Sequence, residues 1–285
     1  MLSRGEHYPV RAVCDVLELP RSSYYRRAAN RADDPPVRTA IEAVAREFPT
    51  YGSRRVSRQL RRAPHELTVN RKRVRRLMRA MGLQRPARRR KCRTTDSAHP
   101  YPRYSNLVAG LTVTHPDQVW VGDITYVRVR REFLYLAVIL DVYTRAIRGW
   151  QLSRSLNQDL TLAALRGALT DRVPEIHHSD QGGQYAATAY TGLLAECAVQ
   201  ISMARQGKPE ENGYAERLIR TIREEEIDLS DYHHFADARA QIGHFIEDVY
   251  QRKRIHSALG YLTPLEFEAA WQQARIEQVF SPGPV

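Results

Sequence analysis

Apolar residues recur with two different periods along this chain, and the change between them divides it. Over Gln118–Val129, Phe133–Leu140 and Ala146–Gln151 the run is β-branched and apolar, broken by short polar turns. That pattern predicts three strands in an antiparallel meander. A helical period then takes over at Gln158–Arg172, with Leu160, Ala163, Ala164 and Gly167 or Ala168 on one face. A short strand at Glu175–His178, a helix at Thr188–Val199 and a strand at Val199–Met203 follow. From Asn212 to Ile227, Ala215, Leu218, Ile219 and Ile222 fall at i, i+3, i+4 and i+7, one packing stripe of a helix. The last sixty residues read as helices punctuated by Gly260 and Pro264. The class is therefore α/β.

The N-terminal third is helical instead. Val74, Leu77, Met78 and Met81 make one stripe between Asn70, a good N-cap, and Gly82, a natural stop. Val56 and Leu60 mark a shorter helix before it, joined by the loop Ala63–Thr68. Earlier still, Pro9 suits a helix N1 position, Val10, Val13 and Leu17 form a stripe, and Pro20 ends it. Arg21–Arg27 reads as a second short helix. Residues 83–105 lack any period and read as an extended basic linker. The expected domains are 1–35, a helical module; 36–84, a helix-turn-helix unit; 85–113, the linker; and 114–285, the α/β unit with its C-terminal helices.

Charge sharpens that division. The net charge is +12 over 285 residues, yet residues 1–100 hold 25 Lys/Arg against 9 Asp/Glu, while residues 101–285 hold 19 against 23. All the excess positive charge lies in the helical third, where Lys72, Arg75, Arg76 and Arg79 occupy the faces opposite the apolar stripe. A solvated face would explain scattered cations. Cations interleaved with a packing stripe fit a helix that lies against a polyanion, and DNA is the natural partner. For the first helical pair, DNA contact, plain packing and a dimer contact all stay open. The six cations from Arg85 to Arg93 favour backbone tracking by the linker over a plain tether. Cys14, Cys92 and Cys197 are scattered, against a disulfide framework or a four-ligand zinc site. The longest apolar run, Phe133–Leu140, is far short of a membrane span, and no signal peptide is evident. A cytoplasmic, nucleoid-associated chain is expected.

Three carboxylates carry the candidate chemistry. Asp123 lies in the first strand, Asp180 follows the fourth in His177-His-Ser-Asp-Gln-Gly-Gly-Gln-Tyr185, and Glu216 lies on the Asn212–Ile227 helix. There are 56 residues between the first two and 35 between the second two. Carboxylates gathered from two strands and a helix repel unless cations neutralise them, and an oxygen-only donor set suits magnesium or manganese. Two such ions roughly 3.5–4 Å apart serve phosphodiester chemistry. Asn212, Glu216, Arg220 and Arg223 share another face of that helix, which an i,i+4 ion-paired surface would also explain. Asp141 is expected to accept backbone hydrogen bonds, Glu224, Glu225 and Glu226 to be solvated, and His178 to be structural. Gly182 and Gly183 would allow close backbone approach, and Ala204–Glu211 would form a mobile loop.

These segments resemble the Asp, Asp-35-Glu signature of insertion-sequence transposases, in particular the catalytic subunit encoded by a second reading frame, with its retroviral-integrase-type core. Tyr51-Gly-Ser-Arg-Arg55, Val69–Met78, Asp141-Val-Tyr-Thr-Arg145 and His256–Pro264 match the same pattern, so the likeness covers nearly the whole chain. It implies a ribonuclease H-like core, a mixed five-stranded sheet with helices, preceded by an all-α helix-turn-helix region. It further implies a polynucleotidyl transferase that frees a 3′-hydroxyl at an element end and joins it to DNA. Asp123, Asp180 and Glu216 would be the catalytic residues and hold two Mg²⁺ (or Mn²⁺) ions, with Asn212 in support. Lys72, Arg75, Arg76, Arg79, Arg220 and Arg223 would touch DNA, Arg223 at the cleaved end. The implied partners are element ends and target DNA, further copies of the chain, and the first-frame helix-turn-helix and leucine-zipper protein, for which no heptad repeat appears here. Tyr250, Arg252 and His256 match a family motif, with a role in buttressing and a role in DNA contact both open.

Overall fold

A computed structural model describes residues 9–21, 34–83, 101–130, 132–205 and 208–280. Helix α1 spans Val10–Val16. A three-helix unit follows, with α2 at Pro35–Glu47, α3 at Ser53–Gln59 and α4 at Arg71–Ala80. Val37, Ile41 and Val44 of α2 meet Val56 and Leu60 from α3 and Val74, Leu77 and Met78 from α4 in one small core. The Asn70 side chain caps α4 by accepting the Lys72 amide at 2.8 Å, and Gly82 past its end has φ +69. These are the predicted cap and stop.

The second unit is a five-stranded mixed sheet: β1 Val119–Val129, β2 Glu132–Asp141, β3 Ile147–Ser153, β4 Ile176–Ser179 and β5 Gln200–Met203. Its order is β3-β2-β1-β4-β5, with β1–β2 and β2–β3 antiparallel and β1–β4 and β4–β5 parallel. Three meandering strands followed by helix-linked parallel ones is the ribonuclease H-like order that the sequence predicts. One face is covered by α5 (Gln158–Ala168) and α7 (Thr188–Glu196), the latter after a single turn, α6 (Gly183–Ala186). The other is covered by α8 (Gly213–Ile222) and α9 (Phe235–His244), each continued by a π-helical stretch, Arg223–Ile227 and Phe245–Lys253. Helix α10, Pro264–Phe280, is the last described element. It is tied to the sheet by Glu268, which accepts two bonds from Arg148 at 2.9 and 3.2 Å.

At Gly149 of β3, α5 comes so close that an added Cβ would lie 2.3 Å from the Ala164 carbonyl oxygen and 2.8 Å from Ala168 Cβ. Neither neighbour can rotate away, since one is backbone and the other a methyl on a packed helix. Gly149→Ala should therefore destabilise the fold by about 1–3 kcal/mol, the usual cost of overpacking. Urea titration of the two proteins checks this, and equal midpoints would refute it.

Several expectations are corrected. Pro9 is the residue before α1, not its first, and Leu17 is 58% exposed, so the Val10–Val13–Leu17 stripe is not buried. Seven residues give α1 too short a face to seat it, and Cys14 is its one buried residue. Most of Arg21–Arg27 and of the basic linker lies outside the described residues. On α5, Ala163 and Gly167 face solvent, and the buried face runs through Leu160, Thr161, Ala164, Leu165 and Ala168. The need for Ala164 and Ala168 against Gly149 sets that rotation. Glu225 and Glu226 are not solvated. Glu226 accepts from Ser230 and Tyr232, each at 3.0 Å, and Glu225 lies inside the joint between the two units.

That joint has a definite chemistry. Arg254 is 4% exposed and grips Glu225 with two parallel bonds of 2.7 and 2.8 Å, while Arg55 of α3 donates to the same carboxylate at 3.2 Å. Burial alone would raise Glu225, but bonding and charge from Arg254 and Arg55 hold it below its ordinary value. Ile255 is wholly buried in the three-helix core, and its amide donates to the Tyr51 hydroxyl at 3.0 Å. Tyr250 packs edge-on against His256 at 5.0 Å. Tyr250 is buried and His256 half-buried, whereas Arg252 is exposed.

Candidate active site

The register of the sheet sets the first two carboxylates. The last β1–β4 pair is Val121 with His178. Asp123 lies two residues past Val121 on β1, and Asp180 two residues past His178, just beyond the end of its parallel neighbour β4. Asp123 is 4% exposed, on the face of β1 that packs against α8. Its Oδ1 accepts the Ile124 amide at 2.8 Å, and Asp180 Oδ1 accepts the Gly182 amide at 3.0 Å. A Cβ on Gly182 would stand 3.0 Å from that same Asp180 oxygen, so glycine leaves the carboxylate its room.

The third carboxylate is set by two ties between α8 and β1. Asn212 Nδ2 donates to the Gly122 carbonyl at 3.2 Å, and Arg223 Nη1 makes a longer contact, 3.4 Å, with Thr125 Oγ1. Gly122 and Thr125 flank Asp123 on β1. Asn212 and Arg223 bracket Glu216 on α8. The stripe Ala215, Leu218, Ile219 and Ile222 is buried against the sheet as predicted, which leaves Glu216 on the flank of the helix beside the Asp123 stretch. Asn212 Oδ1 is buried and has no hydrogen-bond partner among the described residues. The side chains themselves are not gathered into a cage: among the described residues, no three His, Cys, Asp or Glu stand close enough to hold one ion. The backbone puts Asp123 on β1, Asp180 just past the parallel neighbour β4, and Glu216 on the helix packed against the Asp123 face of β1. Thr125 was missed in the sequence, although the two-residue strand period puts it on the same face as Asp123.

Neighbouring histidines serve the frame. His177 is buried beside Tyr190, whose hydroxyl lies 3.0 Å from Nε2, and His178 Nδ1 is 2.8 Å from Ser202 Oγ. Burial pushes their pKa values down, to about 3 and about 4, so both are neutral at neutral pH. His178 is thus structural, as expected. A histidine buried neutral takes no proton when the unfolded chain does, so its contribution is full above about pH 6.5 and drains as pH falls towards the depressed value. His177 should cost about 1.4 kcal/mol for each pH unit below 6.5. A His177→Gln variant should lose one proton from the pH slope of unfolding stability, and an unchanged slope would contradict this. Asp141, at the end of β2, takes the Thr144 amide at 2.9 Å and the Asp117 amide at 3.1 Å, the backbone role predicted. Glu211 holds Arg205 and Asn106, each at 2.8 Å or closer, and part of the Ala204–Glu211 loop lies outside the described residues.

Lys72, Arg75 and Arg79 are exposed on α4 and Arg76 half-buried, all away from the packed stripe. Arg220 is exposed on α8, one turn past Glu216, on the side that faces the three-helix unit. No helix among the described residues is long and apolar enough to cross a membrane.

Comparison with known proteins agrees with this architecture. The integrase core domain family matches residues 113–209 and 197–264, and the HTH-like domain family matches residues 32–91. The 31 kDa protein of insertion element IS600 from Shigella sonnei is 34% identical, covering 92% of this chain and 99% of its own. The transposase for insertion sequence element IS904 from Lactococcus lactis subsp. lactis (strain IL1403) is 34% identical, over 80% and 91%. Transposase InsF for insertion sequence IS3A from Escherichia coli (strain K12) is 31% identical, over 92% and 94%. Among solved structures, the HTLV-2 integrase catalytic core domain in complex with magnesium overlays 54% of this chain and 97% of its own at 15% identity, with a TM-score of 0.43.

Proposed function

This chain belongs to the insertion-sequence transposases that carry an integrase core domain, and on that premise we propose that Asp123, Asp180 and Glu216 are its catalytic carboxylates. It is a polynucleotidyl transferase of DNA transposition and integration. The observation that supports the site assignment is the pair of ties, from Asn212 and Arg223 at the two ends of the helix that bears Glu216, to Gly122 and Thr125 on the strand that bears Asp123. The donor set fits a hard divalent cation: three carboxylates and a buried, unpartnered amide oxygen at Asn212. Mg²⁺, with Mn²⁺ as substitute, would supply at two positions the activation of an attacking oxygen and the neutralisation of a leaving one.

The chain's own residues would do the rest. Asp123, Asp180 and Glu216 would hold the ions, and Asn212 would keep the start of α8 on Gly122. Water attacks the phosphodiester at an element end, its P–O3′ bond breaks, and a 3′-hydroxyl is freed. That hydroxyl then attacks a target phosphodiester, so that one P–O bond forms as one breaks and no bond to the protein is needed. Arg223, pinned to Thr125 beside Asp123, would hold the cleaved end. The exposed arginines of α4 would read the duplex, and paired ends would call for several copies of the chain, with a first-frame protein as a further partner.

The test is a thermal-shift titration with Mg²⁺ and with Mn²⁺. The wild-type protein should be stabilised and an Asp123→Asn/Asp180→Asn variant should not. Equal shifts in both would sink the ligand assignment. The division of labour has its own test in separate assays of binding and joining. Base-contacting members of Arg75, Arg76 and Arg79, changed to alanine, should each cost about 1–3 kcal/mol of end binding. Arg223→Ala should spare binding and slow joining. Loss of binding in Arg223→Ala with the α4 variants intact would overturn that division.

A further inference from the structure

Between the three-helix unit and α8 lies an open cleft of about 600 Å³, and of its exposed arginines only Arg220 has a role above. One wall is the start of α3 and of α4, with Arg54 and Arg71. The other is α8, with Arg217 and Arg220. All four are exposed, and none has an ion pair among the described residues. Arg55 and Arg254 also line it, but Glu225 neutralises part of their charge and locks both into the joint. The floor is therefore a fixed ionic cluster, half-buried Glu224 adds one further carboxylate, and the rims are four exposed guanidinium groups facing each other across a gap.

Exposed arginines on two facing walls repel one another, and an anion between them relieves that repulsion. The planar fork of arginine suits phosphate oxygens, singly or in pairs. The cleft is equivalent to a cube roughly 8 Å on a side, less than the ~12 Å of a DNA major groove, so it admits a backbone edge and not a whole duplex. Its α8 wall continues to Glu216, since Arg217 is the next residue and Arg220 lies one turn on, about 6 Å along the axis.

We propose that this cleft grips one stretch of DNA sugar–phosphate backbone between both walls at once, Arg54 and Arg71 on one side and Arg217 and Arg220 on the other. The proposal rests on the reading of the chain as a DNA-joining enzyme, and it adds how the duplex is delivered. DNA held by the three-helix unit would enter the active site already clamped to the helix that carries Glu216. Glu225 serves this as a positioning residue, because it sets the distance between the walls.

The experiment uses the full chain and a short mixed-sequence duplex, with binding measured by fluorescence anisotropy over a range of salt and with EDTA present throughout. Each phosphate neutralised contributes about 0.9 to the slope of log affinity against log salt. Arg54→Ala/Arg71→Ala should lower that slope by about 1.8, Arg217→Ala/Arg220→Ala by about 1.8, and the four together by about 3.6. Additive losses mean that both walls hold the same DNA in one complex. An unchanged slope for either pair, or a fourfold variant no worse than one pair, overturns the clamp. All four side chains are exposed, and matching unfolding midpoints exclude misfolding as the cause of a loss. Because no chemistry occurs in EDTA, the slopes stand apart from the triad: lost joining in wild type with additive slopes would refute the active site and leave the clamp.

Discussion

Glu216→Gln is expected to reduce both cleavage and joining by about a thousandfold or more, equivalent to ~4 kcal/mol of barrier, with little change in DNA binding. The substitution keeps the size and the hydrogen-bonding reach of the side chain and removes only its charge. Helix α8 keeps its buried stripe and its ties at Asn212 and Arg223, neither of which involves Glu216. The fold and the clamp should survive, and the loss should fall on chemistry alone. Asp123→Asn and Asp180→Asn should behave alike, since each also removes one of the three negative charges that offset the cations. Joining within a few-fold of wild type in magnesium would show that Glu216 is not a ligand.

The second large effect lies in the joint. Arg254→Met should destabilise the protein by about 3–5 kcal/mol, because it leaves Glu225 buried with only the weaker contact to Arg55. The double variant Arg254→Met/Glu225→Gln should recover much of that loss, since no unpaired charge then remains. Glu225 is held below its ordinary pKa, so its stabilising contribution is present above the usual carboxylate range and is lost as pH falls through the depressed value. Urea unfolding of the single and double variants measures both. If Arg254→Met costs less than about 1 kcal/mol, the pair is a surface-like contact and does not fix the two units together.

Much of this architecture is legible in the chain because it rests on local rules. The α8 stripe, the Asn70 cap and Gly82 stop of α4, and the β1–β2–β3 meander follow from period and turn chemistry, which neighbouring residues encode. The rotation of α5 is not legible, since it depends on Gly149, a residue in another element. Glu225 misleads for the same reason: a run of three glutamates reads as solvated until Arg254, 29 residues later, folds back on to it. The His256–Pro264 motif is visible as a match, but the seating of its neighbour Ile255 in the three-helix core is a tertiary fact. Likewise, 56 and 35 intervening residues suggest that three carboxylates meet, whereas Thr125 needs the packed α8–β1 pair, and the cleft arginines need the three-helix unit set against α8, to be seen.

The account stands most directly on one assay: incubation of the wild-type protein with a labelled duplex carrying the element's own end and a supercoiled plasmid, with Mg²⁺ or with EDTA. Metal-dependent transfer of the label into plasmid, lost in Glu216→Gln, is the predicted result. Label transferred equally in EDTA, or an end that is cut in Mg²⁺ and never joined, would contradict it.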